Sequence, residues 1–426
     1  MKKKIIALIV LAAMLLGLLS ACAQPPAGDP APVDEPTIDD AQPEPPRPPE
    51  ERPALQPREG YLCAETEAAI FHFSQTLFRE VLAMGEENPV ISPLSAYYAL
   101  AMVALGAGGE TRAEFEAVLG RDPEKLAAEL YALARSLTYT RGSTALTIAG
   151  SVWTAEDFTI APDFAAAMMD YFAAPAESRD FSAQTTVDEI NAWVSEQTEG
   201  LIEELIQEIG RDEVMLLINT LYFSAKWAEA FNPMTEGPGE FRPAAGPAIE
   251  VPFLTAGRGS KAVSVTNTYE AAMLPYDDGR LGFLLVRPTD GTPVRDFVVA
   301  HDLGAIMAGL AMEYDVQVRM PKLDLEFEIG LNGLLEAMGL REVFGDFADL
   351  SGLLEEDMPL RISRVLQKVR LIVDEEGTEA AAATVIGVEV MSMPLFSLTF
   401  DTPYLYAIVD LETGIPLFMG VLDHPA

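Results

Sequence analysis

The run Glu375-Glu376-Gly377-Thr378-Glu379-Ala380-Ala381-Ala382-Ala383-Thr384 has the residue types and spacing to add itself to a β-sheet as a new strand. Side chains on a strand alternate faces with period two. With Thr378 inward, Ala380, Ala382, Thr384, Ile386, Val388 and Val390 share its face, and no charge stands among them. Glu379, Ala381, Ala383, Val385, Gly387, Glu389 and Met391 take the other face, so both glutamates point to solvent together. Burying an unpaired carboxylate costs several kcal/mol, and insertion into a packed sheet requires this segregation. An alanine-rich helix fits the same run, because Ala is the best helix former. Gly377, Thr378 and the β-branched Val385, Ile386, Val388 and Val390 argue against a long one. The local pattern leaves both readings open.

Side chains that usually carry catalysis are sparse. The three histidines, His72, His301 and His424, have no metal-ligand spacing to one another or to a cysteine, so neither a metal nor a cofactor is expected. Gly106-Ala107-Gly108-Gly109-Glu110 has the glycine density of a phosphate loop. It lacks the Lys-Ser/Thr ending and follows a helical pattern instead of a strand. No Gly-x-Ser-x-Gly elbow occurs, which leaves a serine hydrolase without support. Asp277-Asp278-Gly279 reads as a turn. With 28 basic against 66 acidic residues, the formal charge of -38 disfavours nucleic acid, heparin-like polyanions and anionic lipid as partners.

Lys2, Lys3 and Lys4 precede an apolar run from Ile5 to Leu19, in the charge order of a secretory signal and shorter than a comfortable membrane span. Leu19-Ser20-Ala21-Cys22 resembles the bacterial lipobox. That resemblance implies a lipoprotein signal peptide over 1–21 and lipidation of Cys22. An ordinary signal with an incidental cysteine is the alternative. Lipidation would hold the chain outside the cytoplasmic membrane or elsewhere in the cell envelope, and durable anchoring takes more than one acyl chain. Residues 22–60 are dense in Pro, Asp and Glu and poor in large apolar residues, which predicts a disordered tether. Cys63 is then left as a lone thiol, and stability must come from the core of residues 61–426.

Apolar periodicity predicts helices over 65–84, 92–105, 112–119, 123–137 and 187–205. Strands are expected over 146–153, 214–223, 282–287, 316–320 and 361–373, with alternation continuing through Phe396, Leu398 and Phe400, then Tyr404, Tyr406 and Ile408, to Leu417-Phe418-Met419-Gly420-Val421. Helices and strands without regular alternation point to an α+β domain with large antiparallel or mixed sheets.

Several separated blocks resemble the serpin family, serine protease inhibitors, in that family's order. They are Asn88-Pro89-Val90-Ile91-Ser92-Pro93-Leu94-Ser95, Leu105-Gly106-Ala107-Gly108-Gly109-Glu110-Thr111, Ile190-Asn191-Ala192-Trp193-Val194, Thr198-Glu199-Gly200-Leu201-Ile202 and Ile218-Asn219-Thr220-Leu221-Tyr222-Phe223. Lys226-Trp227, Met273-Leu274-Pro275-Tyr276, Met320-Pro321-Lys322, Ala348-Asp349-Leu350-Ser351-Gly352, the Glu375–Thr384 run, Pro403-Tyr404 and Leu417-Phe418-Met419-Gly420 complete the series. Their length would ordinarily suggest two domains. Because the motifs run continuously, one is expected.

The resemblance implies a single large α+β domain with three β-sheets, eight to nine helices and an exposed reactive-centre loop. Glu375 to Thr384 would be the hinge of that loop. Ser92, Ser95, Asn219 and Gln367 would form the shutter under the main sheet, Gln367 standing where many serpins carry a histidine. Trp227 and Lys322 would lie at the breach where the hinge enters, Lys322 pairing with Glu375. The reactive bond would be Met391-Ser392, or Val390-Met391 by the second count. The activity implied is suicide-substrate inhibition, by a monomer, of serine proteases with an apolar pocket (chymotrypsin-, elastase- or subtilisin-like), extending to cysteine proteases. A non-inhibitory binding or chaperone module and an extracellular substrate-binding lipoprotein are the competing readings.

Overall fold

The computed structural model describes residues 62–425 except 142, 230, 232–236 and 379–395. Its helices are α1 (Ala64–Ala83), α2 (Pro93–Ala104), α3 (Gly109–Leu119), α4 (Pro123–Leu137), α5 (Pro162–Phe172), α6 (Gln184–Gln197), α7 (Val294–Ala300), α8 (Leu303–Ala308) and α9 (Asn332–Met338). The strands are β1 (Val90–Ile91), β2 (Tyr139–Arg141), β3 (Thr144–Ala155), β4 (Ala176–Arg179), β5 (Met215–Lys226), β6 (Gly237–Phe241), β7 (Ile249–Thr255), β8 (Gly259–Val265) and β9 (Tyr269–Pro275). The chain continues with β10 (Leu281–Pro288), β11 (Ala311–Pro321), β12 (Leu323–Gly330), β13 (Leu366–Val373), β14 (Gly377–Thr378), β15 (Phe396–Thr399), β16 (Tyr404–Asp410) and β17 (Pro416–Leu422).

Helix α2 is the hub. Ser92 caps it by accepting the Ser95 N–H, Pro93 occupies the first turn, and every residue but Ala99 is buried. A helix apolar all round has to be enclosed. It packs on β5 of one sheet and β17 of the other. The seven-stranded sheet runs β12-β13-β14-β5-β3-β2, with β4 on β3. The ten-stranded network runs β1-β17-β16-β10-β9-β8-β11-β7-β6, with β15 on β11.

Among the described residues the strands thus fall into two hydrogen-bonded networks, where three sheets were expected. Strand β11 is the reason. Its first half pairs with β8 and its last residues with β7, across a register shift between Glu313 and Val316 where Asp315 takes φ 57°. One bulged strand therefore serves two sheet regions.

Two elements fall short of the periodic reading by several residues at one end. Helix α6 stops at Gln197 because Glu199 and Gly200 take φ of 49° and 85°. The apolar spacing of Leu201, Ile202, Leu205 and Ile206 serves packing around Trp153 and Ile190 instead of prolonging the helix. Asn191 Oδ1 accepts the N–H groups of both Leu205 and Ile206 and so fixes that segment. Strand β13 starts at Leu366, and residues 361–365 form no strand.

The glycine-rich segment is a close-packing device. Gly108 N–H donates to Asp349 O at 2.9 Å and Gly352 N–H to Gly106 O at 3.0 Å. A Cβ on Gly352 would stand 2.9 Å from that Gly106 oxygen, so two backbones touch where a side chain would separate them.

Candidate functional site

Beyond β13 the chain reverses at Asp374. The Asp374 carboxylate accepts the N–H groups of Glu376 at 2.8 Å and Gly377 at 3.1 Å, an Asx-type turn. The turn lays β14 antiparallel to both neighbours, with Thr378 opposite Val373 on β13 and Ala225 on β5. Gly377 is required there, because a Cβ would lie 1.9 Å from the Ala225 carbonyl oxygen. Thr378 is 2% exposed, on the inward face assigned from parity.

Trp227, immediately after β5, holds the turn from beneath. Its indole N–H donates to Asp374 O at 2.9 Å and its backbone N–H to Glu376 O at 2.8 Å. Phe231 N–H donates to Glu375 O at 3.0 Å. The indole stacks on Tyr276 with centroids 4.8 Å apart and planes 8° off parallel, while Phe231 and Phe283 meet it edge-on. Such ring pairs are worth about 0.5–1.5 kcal/mol beyond burial. The Tyr276 hydroxyl lies 2.7 Å from Thr378 Oγ1, both groups buried. Burial raises the Tyr276 phenol well above its ordinary range, so it stays neutral and available for hydrogen bonding.

Two ion pairs flank the turn, Lys322 with Glu375 as expected and Lys226 with Glu376 at 3.5 Å. Both pairs are partly exposed, and pairs of this kind contribute about 0–1 kcal/mol.

Lower in the sheet, the expected shutter residues gather at the N-terminus of α2. Ser95 Oγ donates to Asn219 Oδ1 at 2.9 Å. Gln367 receives the Ser92 N–H at 3.0 Å and donates its own amide N–H to Ser92 O at 2.7 Å. Asn219 on β5 and Gln367 on β13 are thus tied to the same helix end. Gln367 reaches main chain, using donor and acceptor together, as an amide can and a neutral imidazole on one nitrogen cannot.

Among the described residues β13 and β5 are joined only through the two residues of β14. Below Thr378 a cavity of about 550 Å³ lies between them, lined in part by Ser95, Thr198, Leu217, Asn219, Val365 and Gln367.

The structure therefore brings together Glu375, Glu376, Gly377, Thr378, Trp227 and Lys322 in one cluster and Ser92, Ser95, Asn219 and Gln367 in another. Glu379, Ala380, Ala381, Ala382, Ala383, Thr384, Val390, Met391, Ser392 and Cys22 lie outside the described residues. Sequence reasoning missed Tyr276, visible only as the end of Met273-Leu274-Pro275-Tyr276, and Asp374, whose signal was an Asp three residues before a Gly.

A two-residue strand seated between strands that are otherwise apart, beside a buried aromatic cluster, marks an α+β protein whose seven-stranded sheet is joined across β5 and β13 by β14 alone among the described residues. The family model "Serpin (serine protease inhibitor)" matches residues 68–425, and the chain belongs to the serpin family. Serine proteinase inhibitor A3K of Cavia porcellus is 29% identical over 365 residues, covering 84% of this chain and 88% of that one. The thermophilic serpin tengpin in its native state superimposes with a TM-score of 0.76 at 30% identity, over 84% of this chain and 93% of that one. Thyroxine-binding globulin in complex with thyroxine, at 24% identity, TM-score 0.75 and coverage of 84% and 99%, shares the fold alone.

Proposed function

We propose that this serpin inhibits proteases covalently, by cleavage of its loop and insertion of the hinge as a full strand between β5 and β13. The target's nucleophile attacks the carbonyl carbon of Met391, the Ser392 amine leaves with a proton, and an ester to the protease remains. Insertion before water reaches the ester carries the protease away with a distorted site, so deacylation stalls. The driving energy is a fold held kinetically short of its most stable strand complement.

The observation that carries this reading is the seating of Gly377 and Thr378 between β5 and β13. Continuing the same antiparallel registers sets Ala380 level with Phe223 and Leu371, Ala382 with Leu221 and Val369, and Thr384 with Asn219 and Gln367. On β13 the residues so met, Val369 and Leu371, are buried, and the loop offers them only alanine methyls. Val388 would reach the level of Met215, where β5 begins. Small residues keep such zipping free of steric cost.

An apolar Met391 suits chymotrypsin-, elastase- or subtilisin-like pockets, whereas a trypsin-like pocket with its buried acid takes Arg or Lys. Lipidation at Cys22, with residues 22–60 as tether, would display the inhibitor on the outside of the cell envelope. Incubation with chymotrypsin or elastase, followed by a denaturing gel, tests the reading. A complex that survives denaturation supports it, and complete cleavage without one overturns it.

A further inference from the structure

Among the described residues the Tyr276 hydroxyl has one hydrogen-bond partner, Thr378 Oγ1 in the hinge, and its ring is flanked by other aromatic rings. Its ring is clamped between the Trp227 indole at 4.8 Å and the Phe223 ring at 5.0 Å, and the residue is fully buried. Backbone on either side is fixed as well. Tyr276 N–H donates to Leu281 O at 3.0 Å and Asp277 N–H to Lys226 O at 2.9 Å. The Asp277 carboxylate accepts from Ser143 N–H at 3.0 Å, Ser143 Oγ at 2.7 Å and Thr144 Oγ1 at 3.1 Å, and Ser143 Oγ in turn accepts the Lys226 N–H at 3.0 Å. Lys226 is the residue opposite Gly377. A phenol immobilised this way cannot swing to another partner.

We infer that Tyr276 is a positioning residue for loop insertion, its hydroxyl serving as a fixed dock for Thr378 that holds the hinge two residues deep in the sheet before any protease arrives. The inference rests on reading the loop as the inserting element. Withdrawal of the hinge would leave the Tyr276 hydroxyl buried among rings without a hydrogen bond, a penalty that biases the resting state toward the docked hinge. Deeper insertion leaves the same bond intact, so the dock resists retreat without opposing advance. Asp277, which the sequence presents as a plain turn residue, supports the dock by anchoring the β2–β3 turn to the strand end beside it.

Hydrogen exchange on the full chain, in wild type, Tyr276→Phe, Thr378→Val and the double variant, tests the dock without requiring a protease. Both substitutions keep shape and remove one hydroxyl, and the Trp227 stack survives in each. Amides of residues 374–378 are expected to exchange about tenfold faster in either single variant and no faster in the double, while those of β16 stay unchanged. Unchanged hinge exchange in Tyr276→Phe, or a double variant showing the product of the two single effects, overturns the inference. In parallel, Tyr276→Phe should yield more cleaved chain per covalent complex with chymotrypsin, because insertion starts from an undocked hinge. A wild-type chain that forms no complex overturns the inhibitor reading and leaves the exchange comparison to decide Tyr276.

Discussion

Trp227 and Asp374, 147 residues apart, are joined by a single hydrogen bond from the indole N–H to the main-chain carbonyl at 2.9 Å. Through it the end of β5 holds the turn from which the hinge departs. Trp227→Phe should keep most of the ring packing and lose this bond. Leaving a partly buried carbonyl unsatisfied costs about 1–3 kcal/mol, so the thermal midpoint should fall and hinge exchange should rise. A midpoint equal to wild type would show that the bond contributes nothing.

Gly377→Ala places a methyl where the Ala225 carbonyl oxygen lies 1.9 Å away. The two-residue ladder of β14 cannot form around it. Expected outcomes are a hinge displaced from the sheet, seen as faster exchange at Lys226 and Thr378, and a shift from inhibitor toward substrate behaviour. Retention of wild-type stoichiometry would count against the docked hinge as a working part.

Thr378→Arg buries a cation beside the Tyr276 hydroxyl, where Thr378 is 2% exposed. The cost is several kcal/mol in any inserted state. Such a variant should be cleaved and released by chymotrypsin without a stable complex. Full inhibitory activity would sink the insertion mechanism.

Cleavage between β14 and β15 should raise the thermal midpoint of the wild-type protein substantially, because the freed segment completes the seven-stranded sheet. Scanning calorimetry of intact and nicked protein gives the comparison, and equal midpoints would argue for a non-inhibitory serpin. Met391→Leu should inhibit chymotrypsin and resist mild peroxide, since the leucine cannot form a sulfoxide. Met391→Arg should redirect inhibition to trypsin-like enzymes, and mass spectrometry of the cleaved loop reads the bond directly.

Gln367 does not titrate, so its two bonds to Ser92 persist across the physiological range. Gln367→His would place an imidazole at a position 7% exposed. Burial depresses its folded pKa below the unfolded value of about 6.5. The folded state then binds fewer protons, and stability relative to wild type should be lost as pH falls from about 6.5 through the folded pKa. Thermal midpoints of the two proteins measured from pH 8 to pH 5.5 check this; parallel curves would refute it.

Parity grouped Thr378 with the uncharged face of the hinge should that run form a strand, and apolar patterning marked 92–105 as a helix and the chain as a mixture of helices and strands. These are local properties, written at spacings of two and of three to four residues, and Thr378 and the α2 side chains obey them. Motif order carries the resemblance to the family, and that resemblance implied a common place for Ser92, Ser95, Asn219 and Gln367. Only the tertiary structure decided what each group touches. Gln367 reaches Ser92 main chain, Tyr276 meets Thr378, and α6 ends at Gln197 while its apolar spacing runs on. In each case the deciding partner lies far along the chain or, for Leu201 to Ile206, the packing surface comes from another element. A local pattern can state that a side chain is to be buried; the fold supplies what it is buried against.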